Sequence, residues 1–390
     1  MDLNRESLAL HKNNKGKIEI KSKVEIKDYK DLSIAYSPGV AAPCTEIEND
    51  LNLVYEYTSK GNTVAVVTDG SAVLGLGNIG SEAGLPVMEG KAILFKTFAD
   101  IDAIPICLKS QDVEDIISTV KNISPTFGGI NLEDISAPRC FEIEERLKKQ
   151  LDIPVFHDDQ HGTAVVVLAA IINSLKIVNK DKEKVSIVIN GAGAAGISIA
   201  KLLMADGFKD IVLCNRKGIL EYDDPSLDKY KNEIAKATNP RKVKGSLKDA
   251  LRNADIFIGV SSSNILNKED IESMNKDPII LAMANPDPEI MPEDAKNAGA
   301  RIIGTGRSDY PNQVNNVLAF PGIFKGALSV RAKDINEEMK LSAAYAIASV
   351  VNEEDLNEEN ILPNIFDKTV VDRIANAVSS AARETGVARI

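Results

Sequence analysis

The sequence predicts a two-domain α/β protein, an N-terminal α/β domain followed by a doubly wound parallel sheet, on three observations. Short runs of β-branched and apolar residues alternate with helical patterns along most of the chain, as parallel βαβ units require. At 390 residues the chain is too long for one ordinary core. Midway, an apolar strand runs without a gap into Gly191-Ala-Gly193-Ala-Ala-Gly196 and then into a helical pattern.

Composition narrows the function classes. A 44% hydrophobic share fills two cores, and a net charge of -11 argues against nucleic acid or anionic membrane as the main partner. With 5% aromatics and no Trp, a stacking surface for single strands is excluded as well. Cys44, Cys107, Cys140 and Cys214 show no CxxC spacing, so neither zinc nor a disulfide framework is indicated. The opening Met-Asp-Leu-Asn-Arg-Glu-Ser has no secretory apolar core, and no apolar run approaches the roughly 20 residues that cross a bilayer. A cytoplasmic enzyme acting on a small molecule is expected.

Residues 1 to 30 are charged and weakly periodic, Lys-rich from Lys12 to Lys30, and read as a solvated surface or a subunit-contact arm. Tyr36 follows, directly before the breakers Pro38 and Gly39, placed either for packing or to present its hydroxyl to a cleft. Thr63 to Thr68 is a strand. After it, Leu74-Gly75-Leu-Gly77-Asn-Ile-Gly80 matches GxGxxG formally, but Gly84 and Pro86 come too soon for a phosphate-binding helix, so it reads as a packing or active-site loop. Lys91 then stands before an apolar helical pattern, as a surface lysine or a cleft residue. Ile101 to Cys107 is a strand, Val113 to Ile123 a helix, and Phe127 to Ile130 a strand that leads to the acidic pair Glu133-Asp134. A helix over Cys140 to Leu147 and a strand over Ile153 to Phe156 lead to His157-Asp158-Asp159-Gln160-His161, which reads as a loop before a helix from Thr163 to Leu175.

The second half is more regular. Lys184 to Asn190 is a buried strand, the glycines follow, and a strand over Asp210 to Cys214 ends about 20 residues later, as a Rossmann-type dinucleotide unit requires. Gly191 allows the tight turn, Gly193 lets the backbone approach the pyrophosphate, and Gly196 lets helix and strand pack closely, with Ala192, Ala194 and Ala195 between them. Asn215 stands where an acidic residue would take the ribose hydroxyl, and Arg216 beside it suits a 2'-phosphate, so NADP is favoured over NAD. Strands over Asp255 to Val260, Pro278 to Met283 and Ala300 to Gly304 exit into polar residues, among them Ala284-Asn285-Pro286. Asn315 and Asn316, flanked by apolar residues, form a turn device or a substrate clamp, and helices start at Ala327, Ile335 and Asp367.

Glu133, Asp134, Asp158 and Asp159 are four carboxylates at two strand ends. Two separate salt-bridge clusters would account for them, and so would a shared hard cation, for which oxygen-only ligation suits Mg²⁺ or Mn²⁺ better than zinc. His157 and His161 fit supporting or core roles better than ligation. A dinucleotide, a divalent metal and one lysine together suggest oxidation of a chelated hydroxy acid.

With these residues on the page, the chain resembles the malic enzymes of the short bacterial or archaeal type over nearly its whole length. The resemblance rests on Tyr36-Ser-Pro-Gly-Val-Ala, the Leu74 to Gly80 loop, Val87-Met-Glu-Gly-Lys91, Asn131-Leu-Glu133-Asp134, Phe156-His-Asp158-Asp159-Gln-His-Gly-Thr, Gly191 to Gly196, Asn285-Pro and Asn315-Asn316-Val. It implies Glu133, Asp134 and Asp159 as metal ligands, Lys91 as general base in contact with substrate, Tyr36 as general acid, and Asp158 as the residue that tunes the lysine. Asn285 and Asn316 would hold the malate carboxylate, Asn285 also bordering the cofactor site of Gly191 to Gly196, Asn215 and Arg216. The reaction implied is oxidative decarboxylation of (S)-malate to pyruvate and CO₂, with malolactic or oxaloacetate-decarboxylating chemistry as the alternative and a non-catalytic dinucleotide sensor as a more distant one. For Lys91 to act as a base, its pKa must fall from about 10.4 toward roughly 7 to 8. An arginine that larger members carry beside the first glycine loop is missing at Asp69-Gly-Ser-Ala72-Val, so another donor must meet the second carboxylate. The resemblance also implies a homodimer, with a catalytic domain over residues 1–160 and a cofactor domain with the last helices over 161–390.

Overall fold

A computed structural model describes residues 3–73 and 75–390, so Leu74 at the head of the first glycine loop lies outside the described residues. The chain opens with α1 (Leu3–Asn14), α2 (Tyr29–Ala35), α3 (Ala41–Asn49) and α4 (Val54–Tyr57), none of which buries a residue. Then come β1 (Thr63–Thr68), α5 (Ser81–Ala99), β2 (Asp102–Cys107), α6 (Val113–Ile123), β3 (Gly129–Leu132), α7 (Arg139–Gln150) and β4 (Val155–His157). These strands form a parallel sheet in the order β2-β1-β3-β4. β1 is buried along its full length, which fits its run of Thr, Val and Ala with no charge.

Among the differences from the sequence reading, which include a helix starting at Phe320 rather than Ala327 and β3 lying over Gly129–Leu132 rather than Phe127 to Ile130, two shape the site. α5 starts directly after Gly80 and runs through Gly84 and Pro86, so Lys91 sits inside a helix rather than ahead of one. Met88, Ala92, Phe95 and Ala99 recur at helical spacing and are all buried, and that apolar stripe outweighs the one backbone donor lost at Pro86. α8 (Asp158–Val178) starts at Asp158, not Thr163, so both aspartates occupy its first turn. The positive end of the helix dipole favours carboxylates there. α8 is also the one described helix long and apolar enough to span a bilayer, yet 67% of that window is buried inside the fold. It is a core helix with a charged first turn.

The second sheet follows: β5 (Ser186–Asn190), α9 (Ala194–Ala205), β6 (Asp210–Asn215), β7 (Gly218–Ile219), α10 (Lys229–Ala237), α11 (Leu247–Leu251), β8 (Ile256–Gly259), α12 (Lys268–Glu272), β9 (Ile279–Ala282), α13 (Pro292–Asn297) and β10 (Ile302–Thr305). The order is β10-β9-β8-β5-β6-β7, parallel apart from the antiparallel β6–β7 pair. The strand order reverses between β5 and β8, the crevice where sheets of this kind bind ligands. After it come α14 (Phe320–Ser329), α15 (Glu337–Ala348) and α16 (Lys368–Glu384). α14 returns to the first sheet: the Phe320 and Phe324 rings lie 4.7 and 5.3 Å from Phe95, and Phe324 lies 5.8 Å from Phe156. Each buried ring contributes roughly 1.5–3 kcal/mol by leaving water, so this cluster fixes α5, β4 and α14 together around the space above β3 and β4.

Candidate active site

β3 and β4 are hydrogen-bonded neighbours with Leu132 opposite His157, so their carboxyl ends place Glu133-Asp134 beside Asp158-Asp159. Glu133, Asp134 and Asp159 each offer an oxygen, and these atoms lie within 4.8 Å of one another. Asp134 adopts a left-handed backbone with φ 53°, and its N–H donates to Asp159 Oδ2 at 2.8 Å. Asn131 Nδ2 donates to Glu133 Oε2 at 2.8 Å. Asp134 Oδ2 is buried and has no partner among the described residues. Three converging carboxylates with an orphaned buried oxygen fit a hard divalent cation.

Lys91 joins this group from α5. Its Nζ lies 2.6 Å from Asp158 Oδ2 and 3.0 Å from Glu133 Oε1, and 4.3 Å from the Phe320 ring centroid, with both carboxylates buried. Asn316 Nδ2 donates to the same Asp158 oxygen at 2.6 Å, while Asp158 Oδ1 has no partner among the described residues. Gly162 has no side chain because a Cβ there would meet Asp158 Oδ1.

The electrostatics follow from burial and like charge. Burial, then Asp159 and Glu133, push the Asp134 carboxyl up to about 9. Burial also raises Glu133, aided by Asp159 and opposed by Lys91. Asp158 is pushed up to about 7 by burial, against the pull of Lys91. For Lys91 burial is the largest single influence and acts downward, yet Asp158 and Glu133 together outweigh it and hold the ammonium above its usual range. The expected fall in the lysine's pKa is therefore not a property of the protein groups alone. The carboxylates that surround Lys91 keep it charged, and a cation held by Glu133, Asp134 and Asp159 would offset them.

The histidines stand behind this group. His161 Nε2 lies 2.9 Å from both Glu144 oxygens, and Lys340 Nζ lies 3.3 Å from its Nδ1, an arrangement that assigns the proton to Nε2. Burial holds His161 down to about 4, so it stays neutral. His157 is fully buried; neither ring nitrogen has a hydrogen-bond partner among the described residues, and Nδ1 lies 3.7 Å from Asp159 Oδ2.

Several residues that the sequence reading did not single out hold the site in place. Arg139 Nη1 donates to Asp69 Oδ2 at 2.8 Å and its Nη2 to Ser71 Oγ at 2.9 Å, while Ala72 N donates to the Asp134 carbonyl at 2.9 Å. The first glycine loop is thus tied to the acidic pair. Asn131 was legible in principle, two residues from Glu133 and so on the same face of β3.

Other expected site residues are placed as follows. Tyr36 caps the end of α2 and is 68% exposed, and its hydroxyl has no hydrogen-bond partner among the described residues. Asn285 Nδ2 lies 3.2 Å from the Met283 carbonyl at the exit of β9, with the Asn285 carbonyl 3.7 Å from where a Gly75 Cβ would stand. Asn315 Oδ1 accepts from Val317 N at 3.0 Å, so Asn315 is the turn device and Asn316 faces Asp158.

The dinucleotide crevice is a cleft of about 870 Å³ lined by Gly191, Ala192, Gly193, Asn215, Arg216 and Ser261, among others. Gly191 has φ +123°, and a side chain at Gly196 would strike the Gly191 carbonyl, whereas a Cβ at Gly193 meets nothing within 4 Å. Gly193 is therefore free to lie against a ligand, with α9 beginning at Ala194 and Ala195 to aim its N-terminus there. Asn215 Oδ1 accepts from Lys217 N at 2.7 Å, which turns the chain so that Arg216 lies on the cleft wall. Glu289, buried between strands, accepts from Ser261 N at 3.1 Å and Ala284 N at 3.0 Å and so joins the exits of β8 and β9.

Residues 15–148 match the family described as malic enzyme, N-terminal domain, and residues 160–383 match malic enzyme, NAD binding domain. The chain is 62% identical to the bifunctional malic/malolactic enzyme of Bacillus subtilis, covering 100% of this chain and 95% of that one. It is 59% identical to the NAD-dependent malic enzyme of Geobacillus stearothermophilus, over 96% of this chain and 78% of the relative. The malic enzyme structure from Pyrococcus horikoshii superposes with a TM-score of 0.96 at 50% identity, covering 99% of this chain and 92% of that one.

Proposed function

The chain belongs to the malic enzyme family, and on that premise we propose how its own residues divide the reaction. It is an NAD(P)-dependent malate dehydrogenase that decarboxylates its oxidised product to pyruvate. The observation that carries the residue roles is the buried Lys91 amine set between Asp158 and Glu133 at 2.6 and 3.0 Å.

Glu133, Asp134 and Asp159 would hold Mg²⁺ or Mn²⁺, which polarises a hydroxyl, steadies developing negative charge and offsets the field that keeps Lys91 charged. The Gly191 to Gly196 crevice would hold NAD(P)⁺, which would supply the hydride acceptor. Lys91, in its neutral form, takes the malate hydroxyl proton as the hydroxyl carbon gives up its hydride. Asp158 is the group that can receive the proton Lys91 sheds beforehand. In the resulting oxaloacetate the bond to the distal carboxylate breaks, CO₂ leaves, and the electron pair stays on the carbon chain as an enolate. Tyr36 donates its phenolic proton to that carbon. Asn316 has a second N–H beyond the one on Asp158, and that amide together with Asn285 would hold the malate carboxylate. Water exclusion falls to Phe320 and the buried ends of β3 and β4.

Arg216, with Lys217 beside it on the cleft wall, favours NADP through a charge-assisted contact with a 2'-phosphate. We divide the labour near residue 160, with the acidic and lysine groups before or at it and the cofactor crevice after it. Four unpaired cysteines support a reducing cytoplasmic setting, and small-molecule traffic with a homodimeric assembly completes the reading.

The test is malate-dependent reduction of NAD⁺ and NADP⁺ in parallel, with and without Mn²⁺. Reduced nicotinamide and pyruvate in equal amounts, faster with NADP⁺ and absent after chelation, are expected. No reduction under any condition overturns the reading. A second reading is favoured by the Bacillus subtilis relative, named as bifunctional malic/malolactic. Lactate formed from malate without net reduced nicotinamide would establish it.

A further inference from the structure

We propose that Glu289 is a positioning residue for this reaction, its carboxylate setting the wall of the dinucleotide crevice and the Asn285 amide in fixed register. The substrate half of the inference rests on the reading of Asn285 as a group that holds the malate carboxylate.

The carboxylate stands where packing alone would not ask for one. Glu289 is fully buried, and among the described residues only backbone N–H groups oppose the effect of that burial on its charge. A buried carboxylate with no cation beside it is costly, and an apolar side chain would fill the same space with less penalty. The fold nevertheless makes room for it. Gly259 in β8 has no side chain, and a Cβ there would stand 2.2 Å from Glu289 Cδ.

What a carboxylate supplies is two acceptors on one rigid, planar group. Oε1 accepts from Ser261 N at 3.1 Å and Oε2 from Ala284 N at 3.0 Å. These two residues lie at the exits of β8 and β9, which are hydrogen-bonded neighbours. A glutamine has one acceptor oxygen, so it satisfies one of the two N–H groups and turns its own amide protons toward the other.

Each end of this bridge leads to a ligand-binding group. Ser261 Oγ accepts from Asn190 Nδ2 at 2.6 Å, joining the exits of β5 and β8 one residue ahead of Gly191. The Glu289 carbonyl accepts from Ile265 N at 3.0 Å and Leu266 N at 3.1 Å, so the rest of the β8 loop folds onto the same residue. Ser261 and Ile265 both line the dinucleotide cleft. At the other end Ala284 directly precedes Asn285, which borders Gly75 of the first glycine loop, and that loop is tied through Ala72 to Asp134. One line of contacts therefore runs from Asn190 through Ser261, Glu289 and Ala284 to Asn285, across three adjacent strand exits.

The experiment compares four full-length proteins: the wild type, Glu289→Gln, Asn285→Ala and the double variant. In equilibrium titration with NADP⁺ alone, Glu289→Gln should bind about tenfold more weakly than the wild type. At saturating NADP⁺ its malate KM should rise by about tenfold, while kcat stays within about threefold because no proton-transfer group is touched. Asn285→Ala should also raise the malate KM, and the double variant should lie within about twofold of Asn285→Ala, since Glu289 acts on malate through Asn285. Wild-type NADP⁺ affinity and malate KM in Glu289→Gln overturn the proposal. So does a fall confined to kcat, or a double variant whose two losses multiply. An unchanged malate KM in Asn285→Ala overturns the reading of Asn285, a result distinct from these. Should Glu289→Gln fail to fold, Glu289→Asp enters the same comparison: its shorter stem cannot reach both N–H groups, so both affinities should fall, and wild-type values in the folded variant defeat the proposal.

Discussion

Lys91 Nζ and Asp158 Oδ2 lie 2.6 Å apart, joining the middle of α5 to the first turn of α8. This contact spans 67 residues of sequence and, with Glu133, keeps the Lys91 amine charged. Asp158→Asn keeps the shape and the Asn316 contact region but removes the group that can accept the lysine's proton. Turnover should fall by about a hundredfold with a much smaller change in KM, read from steady-state kinetics on protein of unchanged circular dichroism. A change confined to KM would instead place Asp158 in substrate binding.

Asn131 holds Glu133 in position from one face of β3. Asn131→Ala leaves the Glu133 oxygen without its donor and should weaken Mn²⁺ binding by about tenfold or more, as loss of a ligand's orienting partner does elsewhere. Calorimetric titration with Mn²⁺ alone reads this without reliance on turnover. Equal affinity would show that Glu133 is positioned by Lys91 instead.

Arg216 stands on the wall of the dinucleotide cleft beside Asn215. Arg216→Ala should raise the KM for NADP⁺ by roughly ten- to a hundredfold, the worth of about 1.5–3 kcal/mol for a hydrogen bond to a charged group, and leave that for NAD⁺ nearly unchanged. Equal losses for both cofactors would mean that Arg216 only shapes the loop.

Asp255, at the start of β8, accepts from Lys180 Nζ at 2.9 Å, Ser186 N at 2.9 Å and Asn275 Nδ2 at 3.1 Å. Burial works to raise its carboxyl, but the bonds from Lys180, Ser186 and Asn275 outweigh it and hold it below the usual range. The unfolded chain therefore takes up this proton at a higher pH than the folded one. The stabilisation is complete above about pH 4 and drains away as the pH falls further. Asp255→Asn should cost about 1–3 kcal/mol at neutral pH, and the gap to the wild type should narrow in strong acid. Urea melts at the two conditions check this; a constant gap would mean that the carboxylate's charge plays no part.

Much of this architecture was legible because local pattern and tertiary demand agree. β5 and Gly191 to Gly196 read as one unit, since a buried strand, a tight turn and a helix start leave few alternatives. The helix over Val113–Ile123 fell where its apolar period placed it. Where tertiary packing overrode local rules, the reading went astray. Pro86 and Gly84 argued against a helix, and only the stripe from Met88 to Ala99 against the sheet makes one there. Asp158 and Asp159 looked like loop residues because nothing local says that a helix dipole and a neighbouring strand end will hold them. The clamp by Arg139 on Asp69 and Ser71 was invisible, as partners about 70 residues apart leave no pattern along the chain. The four carboxylates were legible as chemistry, but their distribution, three toward one point and Asp158 toward the lysine, is a product of β3 and β4 pairing.

If Lys91 moves the substrate's proton, Lys91→Ala removes that transfer and leaves the binding groups in place. The variant's single-turnover rate of malate oxidation is compared with its equilibrium binding of NADP⁺ and malate. Turnover should drop by roughly 10²–10⁴-fold while cofactor and malate binding persist. Unchanged turnover with intact binding would contradict the account.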